Sequence, residues 1–410
     1  MLKSTTFFRM LLPMLAIVAL VSSCKDDEKE NNNNTTETVV LSGFVSTNRT
    51  LDADTIYEVA GYLVVDSGAT LTIEPGTIVK FREGQGAAAS ALIVARNGKI
   101  NAVGTADKPI VMTSVLDNIT VGQRFGTNLD ENDVELWGGL IILGNAKVSE
   151  VSGDTEGQIE GIPADYTFGL YGGSNDADNS GTLRYISIRH NGTELRPDEE
   201  LQGLTLGGVG SGTTIDHIEV VGSGDDGVEI FGGAVNLNQI LISYVKDDGL
   251  DLDENYSGTV ENFYIVHKGP AVDNAGLEID GPEGVTYTSG SFTLRNGTVK
   301  NASGTGRAAT LKSAAQGTIT NCAFTGFTTW VSVEGGGAND NYLNDELTIT
   351  NSQFVTGSLT GVLVSNDADS TLVIDNFEAD GNTAVSTTTV GGSTAEFQTW
   401  TWTDNAGKLD

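Results

Sequence analysis

Cysteine is almost absent from this chain: its 410 residues include two, Cys24 and Cys322, so neither a disulfide framework nor a cysteine-based metal site can be built. Proline is scarce, 7 residues against 52 glycines, so the chain turns often and tightly through glycine. Basic charge is scarce too, with 22 Lys and Arg facing 55 Asp and Glu. A polyanion of that size excludes nucleic-acid binding by phosphate neutralisation. It also repels anionic lipid head groups and anionic glycans unless cations intervene. There is no Ser-His-Asp arrangement, no phosphate-cradling loop and no dinucleotide fingerprint. The 3 histidines, His190, His217 and His267, share no column of the repeat described below and read as isolated turn or surface residues. No segment carries a helix-length apolar period. Disorder does not follow from these absences, because 39% of the residues are hydrophobic and the acids are interspersed.

The first 24 residues carry a targeting pattern. Lys3 and Arg9 precede the apolar run MLLPMLAIVALV (10–21), which is too short for a membrane span and is followed at once by KDDEKE. That order is a secretory signal. Its ending, VSSC, resembles the lipobox of bacterial lipoproteins. The resemblance implies that residues 1–23 are removed and that Cys24 becomes the N-terminus, anchored in the membrane by thioether- and amide-linked acyl chains. Residues 24–38 then form the lipidated cysteine and a tether. KDDEKENNNNTTET (25–38) has nothing apolar to bury and is expected to be disordered, with a reach of roughly 20 Å. The acidic run after Cys24 resembles the export signal of surface-exposed lipoproteins of the Bacteroidota, which implies an outer-membrane protein facing the cell exterior; a solvated spacer is the plainer reading. Losing Lys3 and Arg9 leaves 20 basic against 55 acidic residues, a charge of −35. Cys322, in the alternating stretch TITNCAFTGF, is expected to be a buried, inert thiol.

From residue 39 onward the chain repeats. TIDHIEVVGSGDDGVEI (214–230) and NLNQILISYVKDDGLDL (236–252) align without a gap: Ile215, Ile218, Val220, Gly227, Val228 and Ile230 recur 22 residues later as Leu237, Ile240, Ile242, Gly249, Leu250 and Leu252. TVENFYIVHKGPAVDNAGLEI (259–279) keeps both halves and lengthens the turn between them. The apolar spacing recurs at Leu183/Ile186/Ile188, Ile319/Cys322/Phe324 and Ile349/Ser352/Phe354. Strands this short bury no core alone, so successive repeats must stack. The expected fold is all-β: a single right-handed parallel β-helix over 39–410, of about ten coils with N- and C-terminal caps. At about 4.8 Å per rung this gives roughly 50 Å of stacked coils. SGATLTIEPGTIVKF with NGKINAVGTADKPIVMTS resembles the opening coils of right-handed β-helix lipoproteins and secreted proteins. Segment 39–62 is expected to cover the first coil. The ending STAEFQTWTWTDNAGKLD, with Phe397, Trp400 and Trp402, is expected to plug the last; a sugar-stacking platform is the other reading of these aromatics.

The acids follow the repeat. Asp225, Asp247 and Asn274 fall in one column and Glu229, Asp251 and Glu278 in another. Because Glu229 lies between the inward-facing Val228 and Ile230, the second column is expected to face solvent. Rungs about 5 Å apart cost about 0.8 kcal/mol of repulsion per neighbouring pair in water. Calcium, with oxygen ligands at about 2.3–2.6 Å, can bridge two rungs and relieve it. Asp225, Glu229, Asp247, Asp251 and Glu278 are therefore the candidate calcium ligands. Asp-Asp-Gly is also good turn chemistry, with Asp capping its own backbone and Gly at positive φ, and the two readings coexist. SGDDGVEI resembles the paired-aspartate strand of polygalacturonase-type hydrolases, but that family's Gly-His-Gly and Arg-Ile-Lys elements have no counterpart here. DDGLDL resembles part of the calcium site of β-helix pectate lyases, which implies a Lys or Arg that takes the proton α to a uronate. Lys246 directly precedes acids that hold its proton, so Lys268 is the weak catalytic candidate. The acids repeat where a catalytic set would be singular. That favours a non-catalytic module binding polysaccharide or a surface protein over a calcium-dependent polysaccharide lyase or a structural adhesion component.

Overall fold

The computed structural model describes residues 38–196, 199–268, 274–366 and 374–409. Residues 1–37, which hold the expected leader, Cys24 and nearly all of the expected tether, fall outside them. The described chain winds as a right-handed parallel β-helix, each strand pairing in register with its counterpart one coil away. Three ladders run along it. One passes through Ile186–Ile188, Ile218–Val221, Ile240–Ser243 and Phe263–Val266. The second passes through Leu204–Gly207, Val228–Phe231, Leu250–Asp253 and Ala275–Ile279. The third carries Leu183, Ile215, Leu237, Val260, Leu294, Ile319 and Ile349 as one inward column. Ile230 pairs with Leu252 as the repeat requires. Aromatic rings stack in the same way inside, Phe81 on Trp137 at 3.9 Å and Phe324 on Phe354 at 4.9 Å between ring centroids.

Two corners explain why this sequence closes into coils. Between the third ladder and the first, one residue per coil takes the left-handed conformation: Tyr185, His217, Gln239, Asn262, Asn296, Asn321 and Asn351 all lie at φ between 49° and 57°. Asparagine tolerates that region best among non-glycine residues. Within the column Asn321 Nδ2 donates to Asn296 Oδ1 at 2.6 Å, and Asn262 Nδ2 donates to Asn238 Oδ1, beside the column on the preceding coil, at 2.8 Å. At the corner before the second ladder the column is Gly203, Gly227, Gly249 and Gly276. Crowding selects glycine here and not positive φ, which corrects the turn expectation. A Cβ on Gly227 would lie 2.2 Å from Ile242 Cγ2, and one on Gly249 would lie 2.6 Å from the Gly276 carbonyl.

The ends differ from expectation. Thr38–Val45 is itself a rung, pairing with Ile56–Val65, so segment 39–62 is the first coil and not a cover over it. At the far end Phe377, on the helix Ile374–Ala379, is fully buried and packs on Phe354 at 5.6 Å. The aromatic C-terminus lies elsewhere. It forms a strap across the outer face of the middle coils, where Phe397, Trp400 and Leu409 pack on Leu241, Tyr264 and Val266. Burial also rules out a sugar platform there, since Phe397 is 0%, Trp400 1% and Trp402 7% exposed. Glu219 anchors the strap: it accepts from the backbone N–H groups of Trp402 and Thr403 and from the Thr403 hydroxyl, each at 2.8 Å. It also accepts from Ser187 Oγ, which in turn accepts at 2.7 Å from Nε of the fully buried Arg189. The Arg189 guanidinium lies 5.3 Å from the Phe125 ring centroid.

Candidate functional site

The acids gather on the outer side of the second ladder. Alternation along Val228–Phe231, Leu250–Asp253 and Ala275–Ile279 sends Val228, Ile230, Leu250, Leu252, Leu277 and Ile279 into the core. The intervening Glu229, Asp251 and Glu278 pair directly from coil to coil. Threonines bound the acidic step, Thr205 opposite Glu229 and Thr310 opposite Glu278. The column does not face open solvent as expected: Glu229 is 6% and Asp251 9% exposed. Alternation settles which side of the sheet a residue takes, and chain folded over that side buries it.

The Asp-Asp-Gly turns add a second tier. Asp226 Oδ1 accepts the backbone N–H of Asp248 at 2.7 Å, and Asp248 Oδ1 accepts that of Ala275, so the second aspartate of each turn stitches its coil to the next. The first aspartate takes side-chain donors: Asp225 accepts from Gln202 Nε2 at 3.4 Å and Asp247 from Asn274 Nδ2. These bonds correct the cap expectation: Asp226 and Asp248 bind groups of neighbouring coils, 22 and 27 residues away, and not their own backbone.

Three overlapping groups of carboxylates result, each with ligand oxygens within 4.8 Å of one another: Asp225/Asp226/Asp247, Asp226/Glu229/Asp251 and Asp248/Asp251/Glu278. All five predicted residues take part. Asp226 and Asp248, which the column argument passed over, complete the groups. The repeat carried the signal for them, since they stand 22 residues apart in identical turns. Within the middle group Glu229 Oε2 and Asp251 Oδ1 are buried without a hydrogen-bond partner. Burial, and then the neighbouring acids, push the carboxyls of Asp226, Glu229 and Asp251 well above the usual range. No ion pair reaches those three among the described residues. Lys312 neutralises one edge of the cluster, 2.9 Å from Glu278 and 3.2 Å from Asp280. Buried acceptors with no donor, in an all-oxygen set without Cys or His, suit a hard cation such as calcium.

The profile of the pectate-lyase-like β-helix domain matches residues 43–404. The chain belongs to that family. Searches of curated proteins and of solved structures returned no match.

The remaining candidates of this pectate-lyase-like β-helix lie apart from the acids or are closed off. Lys268 Nζ donates to Asn132 Oδ1 at 2.5 Å and sits 5.8 Å from the Tyr244 ring centroid, while Lys246 pairs with Glu135. His190 and His267 are not surface residues, being 1% and 0% exposed. His190 Nδ1 is 2.7 Å from the Asp133 carbonyl. Neither ring nitrogen of His267 has a partner, and burial lowers its pKa to about 4. Cys322 is the inert thiol expected, fully buried and with its pKa raised to about 12 by desolvation. Beside the acidic face, the Tyr171 hydroxyl donates to Glu254 Oε1 at 2.5 Å, and burial raises Glu254 to about 8. Cys24 lies outside the described residues.

Proposed function

We propose that this protein is a lipid-anchored module of the outer membrane, presented outward on a tether that ends before the first rung at Thr38, which binds a glycan or a protein partner without cleaving it. Calcium at the acidic face stiffens its middle coils. One observation carries the calcium reading: Asp226 and Glu229 from one coil and Asp251 from the next bring three carboxylates within 4.8 Å, with Glu229 Oε2 and Asp251 Oδ1 buried and unpaired. An ion there joins adjacent coils. The surroundings argue against proton abstraction. The cation beside the cluster, Lys312, is held protonated by Glu278 and Asp280, and Lys268 is engaged by Asn132.

The test is thermal unfolding of the chain without its leader, in calcium and in chelator. Extracellular modules bind with affinities of about 10⁻⁴–10⁻³ M. Calcium at about ten times Kd adds roughly 1.4 kcal/mol, which for a chain of this size is a rise in Tm of about 2 °C. Asp251→Asn should reduce the rise. An unchanged Tm across millimolar calcium refutes the ion. Unsaturated products from a panel of uronate polysaccharides would refute the non-catalytic reading.

A further inference from the structure

The described residues expose few large hydrophobic side chains, and the two aromatic ones among them, Phe44 at 59% and Tyr166 at 48%, line the same cleft. The cleft lies at the N-terminal coils. Phe44 comes from the first rung, Thr38–Val45. Asp66 and Ser67 follow the next rung, and Arg96 and Asn97 follow Ala91–Val94. Asp165, Tyr166 and Thr167 arrive from a distant excursion that folds back through the short turn Thr167–Gly169. Phe168 is the hub of the aromatic patch: its ring centroid is 5.8 Å from Phe44, 6.2 Å from Tyr62 and 5.0 Å from Tyr166. The space is about 390 Å³, within the usual range of ligand sites of about 300–1,000 Å³.

Its polar lining is built. Arg96 is held by Glu156 Oε1 at 2.7 Å and by the Gly172 carbonyl at 3.0 Å. Asp66 Oδ1 accepts the Ser67 N–H at 2.8 Å, which leaves its second oxygen for a ligand. The lining therefore offers both donors (Arg96, Asn97) and acceptors (Asp66, Asp165) beside the two exposed rings. A ligand rich in hydroxyls answers both kinds of group, because each hydroxyl donates and accepts. A cation offers donors only and meets Arg96. A carboxylated ligand meets Asp66 and Asp165 in a chain that is already strongly acidic.

We infer that this cleft is a binding site for a neutral saccharide, with pyranose faces on Phe44 and Tyr166 and hydroxyls on Asp66, Arg96, Asn97 and Asp165. The assignment rests on the glycan-binding part of the function proposed above, and it is independent of calcium. Isothermal titration in EDTA with cello-, xylo-, manno- and maltohexaose tests it, with hexagalacturonate and hexameric chitosan as charged counterparts. At least one neutral hexaose should bind. Phe44→Ala and Tyr166→Ala should each weaken it about tenfold, as loss of a central aromatic contact does. Leu343→Ala, exposed on the helix Gly335–Leu343 and outside the cleft, should leave it unchanged. Both aromatics are exposed, so an unchanged Tm shows that the variants fold. Absence of binding by every neutral hexaose overturns the assignment, as does tighter binding of either charged oligomer or binding indifferent to both substitutions. A glycan that binds only when calcium replaces EDTA belongs to the acidic face and overturns it too, while the module reading survives.

Discussion

Replacing Glu219 with Ala isolates what holds the C-terminal strap. Its carboxylate accepts four hydrogen bonds, from Ser187 Oγ, the N–H groups of Trp402 and Thr403 and the Thr403 hydroxyl. Hydrogen bonds to a charged group contribute about 1.5–3 kcal/mol each, but four on one carboxylate do not add. Removing it leaves two buried amides unpaired and takes a countercharge from the buried Arg189. Breaking one side of such a buried charged network costs about 3–5 kcal/mol. The loss falls on the strap, since the ladders beneath keep their own register. Trp400 and Trp402 would then become exposed, so tryptophan emission should shift to the red and protease should cut within 393–409. The coil core should keep most of its denaturant transition. Glu219→Gln keeps an acceptor and should fall between. Unshifted emission together with unchanged proteolysis of Glu219→Ala would refute the reasoning.

Three further outcomes are expected. Gly249→Ala places a Cβ 2.6 Å from the Gly276 carbonyl and 2.7 Å from Ile265 Cγ2, and should cost about 1–3 kcal/mol by denaturant unfolding. Gly357→Ala, with nothing within 4 Å of the added atom, is the neutral control. His267, whose folded pKa lies near 4, binds fewer protons folded than unfolded between about pH 4 and 6.5. Its contribution is therefore complete above pH 6.5 and is lost as pH falls. The difference in stability between the native protein and His267→Phe should change by about 3 kcal/mol across that window, and a constant difference would refute the burial argument. Cys24→Ala should release the protein from membrane fractions; retention in the outer membrane would contradict the lipid anchor.

The coils were legible because stacking demands like residues at like positions. The gapless match of Ile230 to Leu252 already contained their pairing, and the Glu229/Asp251/Glu278 column came with it. What covers a column was not legible. The chain between the repeats has no period of its own, so nothing in the alternation around Glu229 distinguishes a solvated carboxylate from one 6% exposed. The aromatic ending announced burial but not its place, because Trp402 docks against Glu219, 183 residues earlier in the chain. The Phe44 cleft was invisible for the same reason, since Phe44 and Phe168 meet only through the returning excursion.

The strap also bears on the order of folding. Coils close over short separations, as where Asp226 meets Asp248 across 22 residues. The strap spans 275 residues where Thr399 meets Arg124 and 277 where Lys408 meets Glu131. Contacts of low order form first, because less chain must be brought to hand before they return any free energy. Coils can therefore nucleate on one another while the strap is still unbound, and docking of the strap is expected after the step that limits folding. Interactions made that late leave the folding rate almost untouched and act on the rate of unfolding. The earliest coils set how fast the molecule forms, and its final residues set how long it lasts.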